Sequence, residues 1–302
     1  MKVAVMGAGG VGCYYGAMLA RGGHDVTLIG RPAHVDAIAS RGLVLETAAG
    51  RETIAAAATT RADGVRDADL VLVSVKSGEV AEAGRQLLPA LSPKAAIVSL
   101  QNGVDTAERL QAALGRDVVP AAVYVAVEMA GPGHVRHHGR GELAIGPSPR
   151  SEELAGAFRA AGIATDVSDN IAGILWAKLI INCAYNALSA IPQLTYGEIV
   201  AVAGVPALMD DVVGECLAVA DRLDVSVPGD IRKTVHGLAA SMPGQSSSTA
   251  QDLARGKRSE IDHLNGHVVR LAEQLGLPAP ANRALWVMVR LMEQRGPAAD
   301  RG

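Results

Sequence analysis

The sequence is poor in the residues that stabilise small disulfide-linked folds or bind zinc. Its 302 residues include only 3 cysteines, Cys13, Cys183 and Cys216, which are far apart and form no Cys-x-x-Cys pair. This spacing argues against a disulfide framework or a zinc site and fits a reducing compartment. Aromatic residues make up only 3% of the chain. The core must therefore consist of Ala, Val, Leu and Ile, which suits helices packed on parallel strands.

Basic clusters and long apolar runs are also missing. The formal net charge is -3 and no basic block is present, so nucleic acid or an anionic membrane surface is a poor partner. Lys178 and Asn182 interrupt the best candidate for the roughly 18 apolar residues of a membrane span. The apolar run at the N-terminus is too short for a signal peptide. We therefore expect a soluble, cytoplasmic protein.

A change of pattern near residue 167 predicts two domains, which the length of 302 residues also favours. Strand-like and helix-like runs alternate before this point, as in a doubly wound parallel sheet, whereas helix follows helix after it. The sequence thus predicts a Rossmann-type α/β domain over residues 1–167 and an all-α domain over residues 168–302.

The main predicted elements follow from apolar periodicity and from breaker residues. In the first domain they are strands at 2–6, 25–29, 70–75, 96–100 and 118–127, a helix at 10–21, and a hairpin of 43–46 with 52–56. In the second domain they are helices at 173–191, 206–223, 230–240, 248–256, 259–276 and 281–295.

The segment "GAGGVG" follows the first predicted strand and opens the first predicted helix. It fits the G-x-G-x-x-G pattern, in which the glycines allow a tight turn, close approach of a pyrophosphate and close helix–strand packing. The start of the helix then offers backbone N–H groups to the phosphates. The alternative is an ordinary strand-to-helix turn. The predicted dinucleotide-binding residues are Gly7, Ala8, Gly9, Gly10, Val11 and Gly12.

The end of the second strand, "LIGR", predicts the type of dinucleotide. An NAD site usually has Asp or Glu there to bind the ribose 2′-hydroxyl. Gly30 removes that carboxylate, and Arg31 offers a guanidinium that can bind a phosphate. These two residues indicate NADPH, although a solvated loop arginine would give the same sequence.

Two further strands end in polar residues, where ligands of open α/β sheets bind. Lys76 follows "LVLVSV" and can reach a ribose or phosphate, or can be an exposed loop lysine. Asn102 lies in "QNG" after "AIVSL". Asn-Gly is a favoured turn dipeptide, so Asn102 can form a turn and still contact the nicotinamide or the substrate.

The segment "GILWAKLIINCAYNALSAI" is an apolar helix with a polar row. Lys178, Asn182 and Asn186 are spaced four apart and therefore lie on one face. A buried ammonium is costly unless it has a partner. Partial desolvation lowers the pKa of a lysine, which suits a proton donor to a carbonyl oxygen. The alternative is a structural lysine paired with a carboxylate.

Two residues later in the chain have structural explanations as well as functional ones. Ser248 with Gln251 fits a capping box, so helix capping alone can explain the serine. Glu260 lies in a predicted first helical turn, where the helix dipole favours a carboxylate. His134, His137 and His138 do not share one strand face and have no acidic neighbour in sequence, so we predict no metal site.

In combination, "GAGGVG", "LIGR", "SVKSGE", "QNGVD", "WAKLIINCAYNALSAI" and "EIDHLNG" resemble the ketopantoate reductase (2-dehydropantoate 2-reductase) family over nearly the whole chain. The lysine helix and "SEIDHLNG" are the most specific of these segments. The resemblance implies a Rossmann-type domain that binds NADP, followed by a helical substrate and catalytic domain like the C-terminal domain of 6-phosphogluconate dehydrogenase. It implies reduction of 2-dehydropantoate to D-pantoate with NADPH, in pantothenate and coenzyme A biosynthesis.

The resemblance also implies roles for the residues above. Lys178 would protonate the carbonyl oxygen, and Glu260 would act close to the lysine and the cofactor as a second catalytic residue. Lys76 and Asn102 would line the site from the first domain, alongside the glycine loop and Arg31. The substrate would be held by Asn102, Lys178, Asn182, Asn186 and Ser248.

Two segments depart from the family pattern. Tyr196 stands where a family member has a substrate-contacting Asn, and residues 123–128 ("VYVAVE") replace a strand that contains Thr and His. Both can line the tail of the substrate, so a different branched 2-keto acid is an alternative. A further alternative is a sensor that binds NADPH without turnover, because a fold does not fix a function. The oligomeric state is left open, with a homodimer as one option.

Overall fold

The computed structural model describes residues 1–294. The chain divides into two compact units, Met1–Ile171 and a second unit that begins at Ala172. The division lies four residues after the predicted boundary at residue 167. Arg295, the last residue of the final predicted helix, lies outside the described residues.

The first unit contains ten strands and five helices. The strands are β1 (Lys2–Met6), β2 (Asp25–Ile29), β3 (Leu43–Thr47), β4 (Gly50–Ile54), β5 (Ala57–Thr59), β6 (Leu70–Val73), β7 (Ala96–Ser99), β8 (Val119–Gly131), β9 (His134–Ile145) and β10 (Thr165–Val167). The helices are α1 (Gly10–Arg21), α2 (Pro32–Arg41), α3 (Val80–Leu87), α4 (Thr106–Leu114) and α5 (Ser151–Ala160). The predicted bounds of β1, α1 and β2 agree with these.

The strands form one sheet in the order β4-β3-β9-β8-β7-β6-β1-β2-β5, and β10 pairs with β9. Strands β5, β2, β1, β6, β7 and β8 run parallel. In the other half, β8 with β9 and β3 with β4 are antiparallel pairs. The pair of β3 with β4 confirms the predicted hairpin of 43–46 with 52–56, although its second strand begins two residues earlier than predicted. Both pairs are hairpins with short turns, which cannot join parallel neighbours.

Alternate residues of β1 enter two different cores. Val3 and Val5 belong to a cluster with Leu19 of α1, whereas Ala4 and Met6 belong to a cluster that includes residues of α3 and α4. Successive side chains of a strand point to opposite faces of a sheet. Helices therefore cover both faces, and the Rossmann-type, doubly wound part of the fold prediction is confirmed.

All regular elements of the second unit, within the described residues, are helical. They are α6 (Ile171–Ala190), α7 (Tyr196–Val200), α8 (Val205–Arg222), α9 (Ile231–Ser241), α10 (Ser248–Ala254), α11 (Asn265–Leu275) and α12 (Pro280–Glu293). A short 3-10 turn, Ile261–His263, precedes α11. The predicted continuous helix over 259–276 is therefore wrong, because Leu264 leaves the helical region at φ −110 and ψ −108.

Helix α6 is the one described helix that is long and apolar enough to cross a membrane by length and composition alone. In its most apolar window, however, 61% of the helix is buried inside the protein. A core helix of a soluble protein passes the same test, and α6 is buried in that way.

Candidate active site

The carboxyl ends of three neighbouring parallel strands come together in the first unit. Chain connections run from β1 towards β2 in one direction and from β6 towards β7 in the other, so β1 and β6 flank a topological switch point. The Ser74 hydroxyl after β6 donates to the carbonyl of Gly7 over 2.9 Å. The Ser77 hydroxyl donates to the carbonyl of Asn102 over 2.7 Å. Ligands of such sheets bind at this point.

The glycine loop has little space where the fold closes around it and open space elsewhere. A Cβ at Gly12 would lie 2.1 Å from the Gly7 carbonyl oxygen, and a Cβ at Gly7 would lie 2.8 Å from the backbone of Ser74. Gly7 also has φ +115, which other residues rarely adopt. A Cβ at Gly9, in contrast, would meet no atom within 4 Å. The loop is therefore closely packed at Gly7 and Gly12 and open at Gly9, which leaves room for a pyrophosphate to approach the backbone.

Helix α1 begins directly at this open side. Its N-cap, Gly9, makes no side-chain cap hydrogen bond, and its first turn has no acidic residue. The positive end of the helix dipole and its N–H groups are therefore not compensated by a side chain. This arrangement fits a bound anion such as a dinucleotide pyrophosphate.

The end of β2 explains the missing carboxylate in steric terms. A Cβ at Gly30 would lie 2.5 Å from the Cβ of Ala8 in the glycine loop, so a side chain at this position would displace that loop. Arg31 follows as the N-cap of α2, and it is exposed. Within the described chain its guanidinium has no ion-pair or hydrogen-bond partner, which suits a role in phosphate binding.

Lys76 and Asn102 lie on adjacent loops of the same edge. Lys76 is exposed and precedes a 3-10 turn, Ser77–Glu79, whose first hydroxyl bonds Asn102. Asn102 is half-buried, and Gly103 after it has φ +107. The structure therefore places Lys76 on the loop that bonds the glycine loop through Ser74, and Asn102 on the next loop along the same edge.

In the second unit, α6 carries the predicted polar row with graded burial. Lys178 and Asn182 are half-buried, whereas Asn186 is only 3% exposed. The side-chain amide of Asn186 donates to the hydroxyl of Ser248 over 3.5 Å. The structure thus brings together two predicted substrate-binding residues that are 62 positions apart.

The structural explanation of Ser248 does not hold. The N-cap of α10 is Ser247, whose hydroxyl accepts from the amide of Ala250 over 3.0 Å, and Ser248 is the first helical residue. Ser247 also donates to the carbonyl of Asn186 over 3.0 Å. Ser248 is exposed and is left available for another role.

The helix-dipole explanation of Glu260 also fails. Glu260 precedes a three-residue 3-10 turn, and α11 begins only at Asn265. Glu260 is nevertheless buried, with 9% of the residue exposed. A buried carboxylate is costly without compensating interactions, and capping a long helix does not account for this one.

Tyr196, the departure from the family pattern, lies against Tyr185 of α6 with ring centroids 4.5 Å apart. Burial raises the pKa of Tyr196 to about 12, with a smaller contribution from Tyr185. The phenol therefore stays neutral at physiological pH and can offer a hydroxyl group without charge.

Two of the three hairpin histidines have carboxylate partners that were not apparent from the sequence. His134 lies 2.7 Å from Glu46, and His138 lies 3.2 Å from Glu128. Hydrogen bonding by Arg136, assisted by Arg51 and His134, lowers the pKa of Glu46 to about 2 although burial opposes the shift. Over residues 1–294 no group of three or more potential metal ligands is present. His134 and His138 therefore belong to a ladder of polar contacts across the strands, whereas the ring of His137 contacts the carbonyl of Arg140 over 2.6 Å.

Sequence reasoning missed two fully buried amides of the second unit, Asn265 and Asn282, which are 0% exposed. Asn265 lies within the "EIDHLNG" segment, but a single Asn before Gly is typical of a turn. No signal in the sequence separates a buried bridging amide from a turn residue.

A Rossmann-type sheet with a glycine loop at its switch point, followed by a helical unit with a lysine–amide row, defines an oxidoreductase with two units. Residues 3–150 match the family model described as "Ketopantoate reductase PanE/ApbA", and residues 170–293 match "Ketopantoate reductase PanE/ApbA C terminal". The chain belongs to the ketopantoate reductase family. Its members act as oxidoreductases on a CH–OH group.

Named relatives are similar over their full length. The chain is 34% identical to a 2-dehydropantoate 2-reductase of Pyrococcus horikoshii, over 98% of this chain and 99% of the relative. A crystal structure of a PanE/ApbA family ketopantoate reductase from Ralstonia eutropha JMP134 is 57% identical, with TM-score 0.96 over 98% and 99% of the two chains. A D-mandelate dehydrogenase with NADH and anilino(oxo)acetate shares the fold, with 23% identity, TM-score 0.90 and coverage of 98% and 99%.

Proposed function

We propose that the protein reduces 2-dehydropantoate to D-pantoate with NADPH, as a step towards pantothenate and coenzyme A. The observation that carries this proposal is the row on α6, in which Lys178 and Asn182 are half-buried and Asn186 contacts Ser248. A cation followed by amides suits a 2-keto acid, because the substrate brings its own negative charge and a carbonyl to be protonated. Membership of the family supports the same reaction.

Lys178 is the proposed general acid. The carbonyl oxygen of a keto acid becomes an alkoxide as hydride adds to the carbon, and a donor aimed at that oxygen lowers the barrier. The ammonium of Lys178 supplies both the positive charge and the proton.

Asn182, Asn186 and Ser248 are the proposed groups that hold the substrate. Amides and hydroxyls bind carboxylate and hydroxyl groups without adding charge that would compete with the lysine. Asn186 is itself oriented by the Ser248 hydroxyl and by its position in the buried row. Glu260 is the proposed second catalytic residue, which acts close to the lysine.

The cofactor is assigned to the first unit. Bound NADPH supplies the hydride. Gly9 leaves room for its pyrophosphate and the start of α1 compensates the charge. Arg31 is the proposed partner of the 2′-phosphate, and Lys76 and Asn102 are proposed to contact the ribose and the nicotinamide. The steric exclusion of a carboxylate at Gly30 supports NADPH over NADH.

Replacing Arg31 with Ala should raise the KM for NADPH and leave the KM for NADH little changed. A hydrogen bond to a charged group contributes about 1.5–3 kcal/mol, which corresponds to a rise of roughly 10- to 150-fold. Steady-state kinetics with both cofactors provide the measurement, and NADH serves as the internal control. Equal losses with both cofactors would remove Arg31 from the phosphate site.

Replacing Asn182 with Ala should raise the KM for the keto acid and lower kcat together. The lost hydrogen bond acts in the bound substrate and in the transition state. Gln274→Ala, which removes an exposed amide on α11, is the control and should leave both constants unchanged. A normal KM for the keto acid in Asn182→Ala would show that this amide does not hold the substrate.

A panel of 2-keto acids decides between the alternatives. Tyr196 and residues 123–128 differ from the family pattern, so 2-dehydropantoate should be compared with other branched and with aromatic keto acids. The highest kcat/KM should fall on 2-dehydropantoate. A higher kcat/KM for another branched acid would show that this acid is the substrate, while the proposed class of reaction would still hold. NADPH binding without turnover of any acid would indicate a sensor.

A further inference from the structure

A chain of polar groups crosses the interior of the second unit. The side-chain N–H₂ of Asn265 donates to the carbonyl of Cys183 over 3.1 Å and to the amide oxygen of Asn282 over 3.0 Å. The N–H₂ of Asn282 donates in turn to the carbonyl of Val212 over 3.2 Å and to Glu215 over 2.7 Å. These contacts connect four helices, α6, α8, α11 and α12.

The direction of this chain is fixed. Each amide nitrogen of Asn265 and Asn282 faces two acceptors, so turning either amide over would place oxygen against oxygen. The chain ends at the Glu215 carboxylate, which also accepts from the backbone amides of Ala281 and Asn282 at the start of α12. Networks of this kind impose one geometry on the elements that they join, because each bond constrains the next.

The chain reaches α6 at a specific place. Cys183 directly follows Asn182 and lies three residues before Asn186, so Asn265 is anchored on the segment of α6 that carries the proposed substrate amides. Asn265 is also the fifth residue after Glu260. One side chain therefore links the helix of the proposed acid to the segment of the second proposed catalytic residue.

We propose that Asn265 is a positioning residue, which fixes α6 and the Glu260 segment relative to one another and so sets the geometry of Lys178. The inference rests on the proposed function of Lys178 and Glu260. Apolar side chains could fill this interior without that cost, because a buried amide that loses a hydrogen-bond partner destabilises the fold. Asn265 itself has an amide oxygen without a donor within the described residues. The geometry that Asn265 imposes on its neighbours explains why a buried amide with an unsatisfied oxygen occupies this position.

Asn282 provides a matched control, because it is the same residue type in the same chain. Its side chain bonds Val212, Glu215 and Asn265 and accepts from the Cys216 thiol over 3.9 Å, and none of these direct partners lies on α6. Asn282→Ala breaks more hydrogen bonds than Asn265→Ala and should lower the melting temperature at least as much. If the network had only a structural role, Asn282→Ala should therefore lose at least as much activity as Asn265→Ala, in the same order as their losses of stability.

If Asn265 is a positioning residue, Asn265→Ala should instead lose more activity than Asn282→Ala. Asn265→Ala should lower kcat by roughly 10- to 100-fold, the usual effect of a small misplacement of a catalytic group, with the KM for NADPH within about threefold of wild type. Asn282→Ala should keep kcat within about threefold. Amide hydrogen exchange in residues 179–187 should rise more in Asn265→Ala than in Asn282→Ala. If Asn265→Ala does not fold, Asn265→Ser, whose hydroxyl can still donate, replaces it in both measurements.

Equal kcat values for the two variants, or equal exchange in α6, would overturn the positioning role. This failure is distinguishable from failure of the proposed function. If Lys178→Ala abolishes turnover while Asn265→Ala does not reduce it, the positioning role alone is wrong. If the wild type reduces no keto acid, the proposed function is wrong, and hydrogen exchange still decides whether Asn265 anchors α6.

Discussion

Replacing Lys178 with Ala should lower kcat by roughly 100- to 10,000-fold, the usual contribution of a positioned acid or base. The residue is half-buried on α6, in the same row as Asn182 and Asn186, and no other residue of that row can donate a proton as a cation. The affinity for NADPH should change little, because the proposed phosphate-binding groups are all in the first unit. Stopped-flow measurement of the hydride step and fluorescence titration of NADPH provide the two values.

The stability of the same variant separates catalysis from structure. A structural lysine paired to a buried carboxylate would cost about 3–5 kcal/mol on truncation. A lysine kept for catalysis at some expense to the fold should cost little, or its removal should stabilise the protein. Near-normal turnover combined with a collapsed melting temperature would show that Lys178 is part of the core only.

Replacing Gly12 with Ala should destabilise the first unit severely. The added Cβ would lie 2.1 Å from the Gly7 carbonyl oxygen and 2.4 Å from the Ser74 hydroxyl, and the first of these atoms is backbone that cannot move without shifting the loop. Overpacking costs about 1–3 kcal/mol and occasionally more; we expect the upper end of that range. The melting temperature should fall by roughly 6–12 °C, as for a domain of 150–250 residues.

Gly9→Ala is the matched control, with the opposite expectation. Its Cβ would meet no atom within 4 Å, and its φ of −89 is open to alanine. Thermal stability should therefore be kept, whereas the Kd for NADPH should rise by about tenfold or more, since a methyl group would occupy the space for the pyrophosphate. Normal NADPH binding by Gly9→Ala would show that no pyrophosphate approaches this loop.

Local patterns predicted the elements that depend on local sequence. The bounds of β1, α1 and β2 follow from one apolar run, one glycine motif and another apolar run, and the structure agrees with them. The length of β8, in contrast, could not be predicted from its local sequence. Its pairing with β9 extends to Gly131 through bulges, and such long-range pairing leaves little trace in short-range periodicity.

In the candidate site, too, contacts within one helix could be predicted from the sequence, whereas contacts between distant segments could not. The row of Lys178, Asn182 and Asn186 follows from helical spacing, because all three belong to one helix. The contact of Asn186 with Ser248 could be expected only from the family resemblance, and the cap formed by Ser247 was assigned one residue too late. The bridge from Asn265 to Cys183 spans 82 residues, and no spacing rule reaches that far.

The central claim is that this chain transfers hydride from NADPH to a 2-keto acid. The most direct measurement mixes the purified protein with NADPH and 2-dehydropantoate and follows NADPH oxidation together with the pantoate formed. Our account predicts saturable oxidation with one D-pantoate formed for each NADPH consumed, and a much slower reaction with NADH. A preparation that is folded and binds NADPH, yet forms no hydroxy acid from 2-dehydropantoate or from any other 2-keto acid tested, would contradict it.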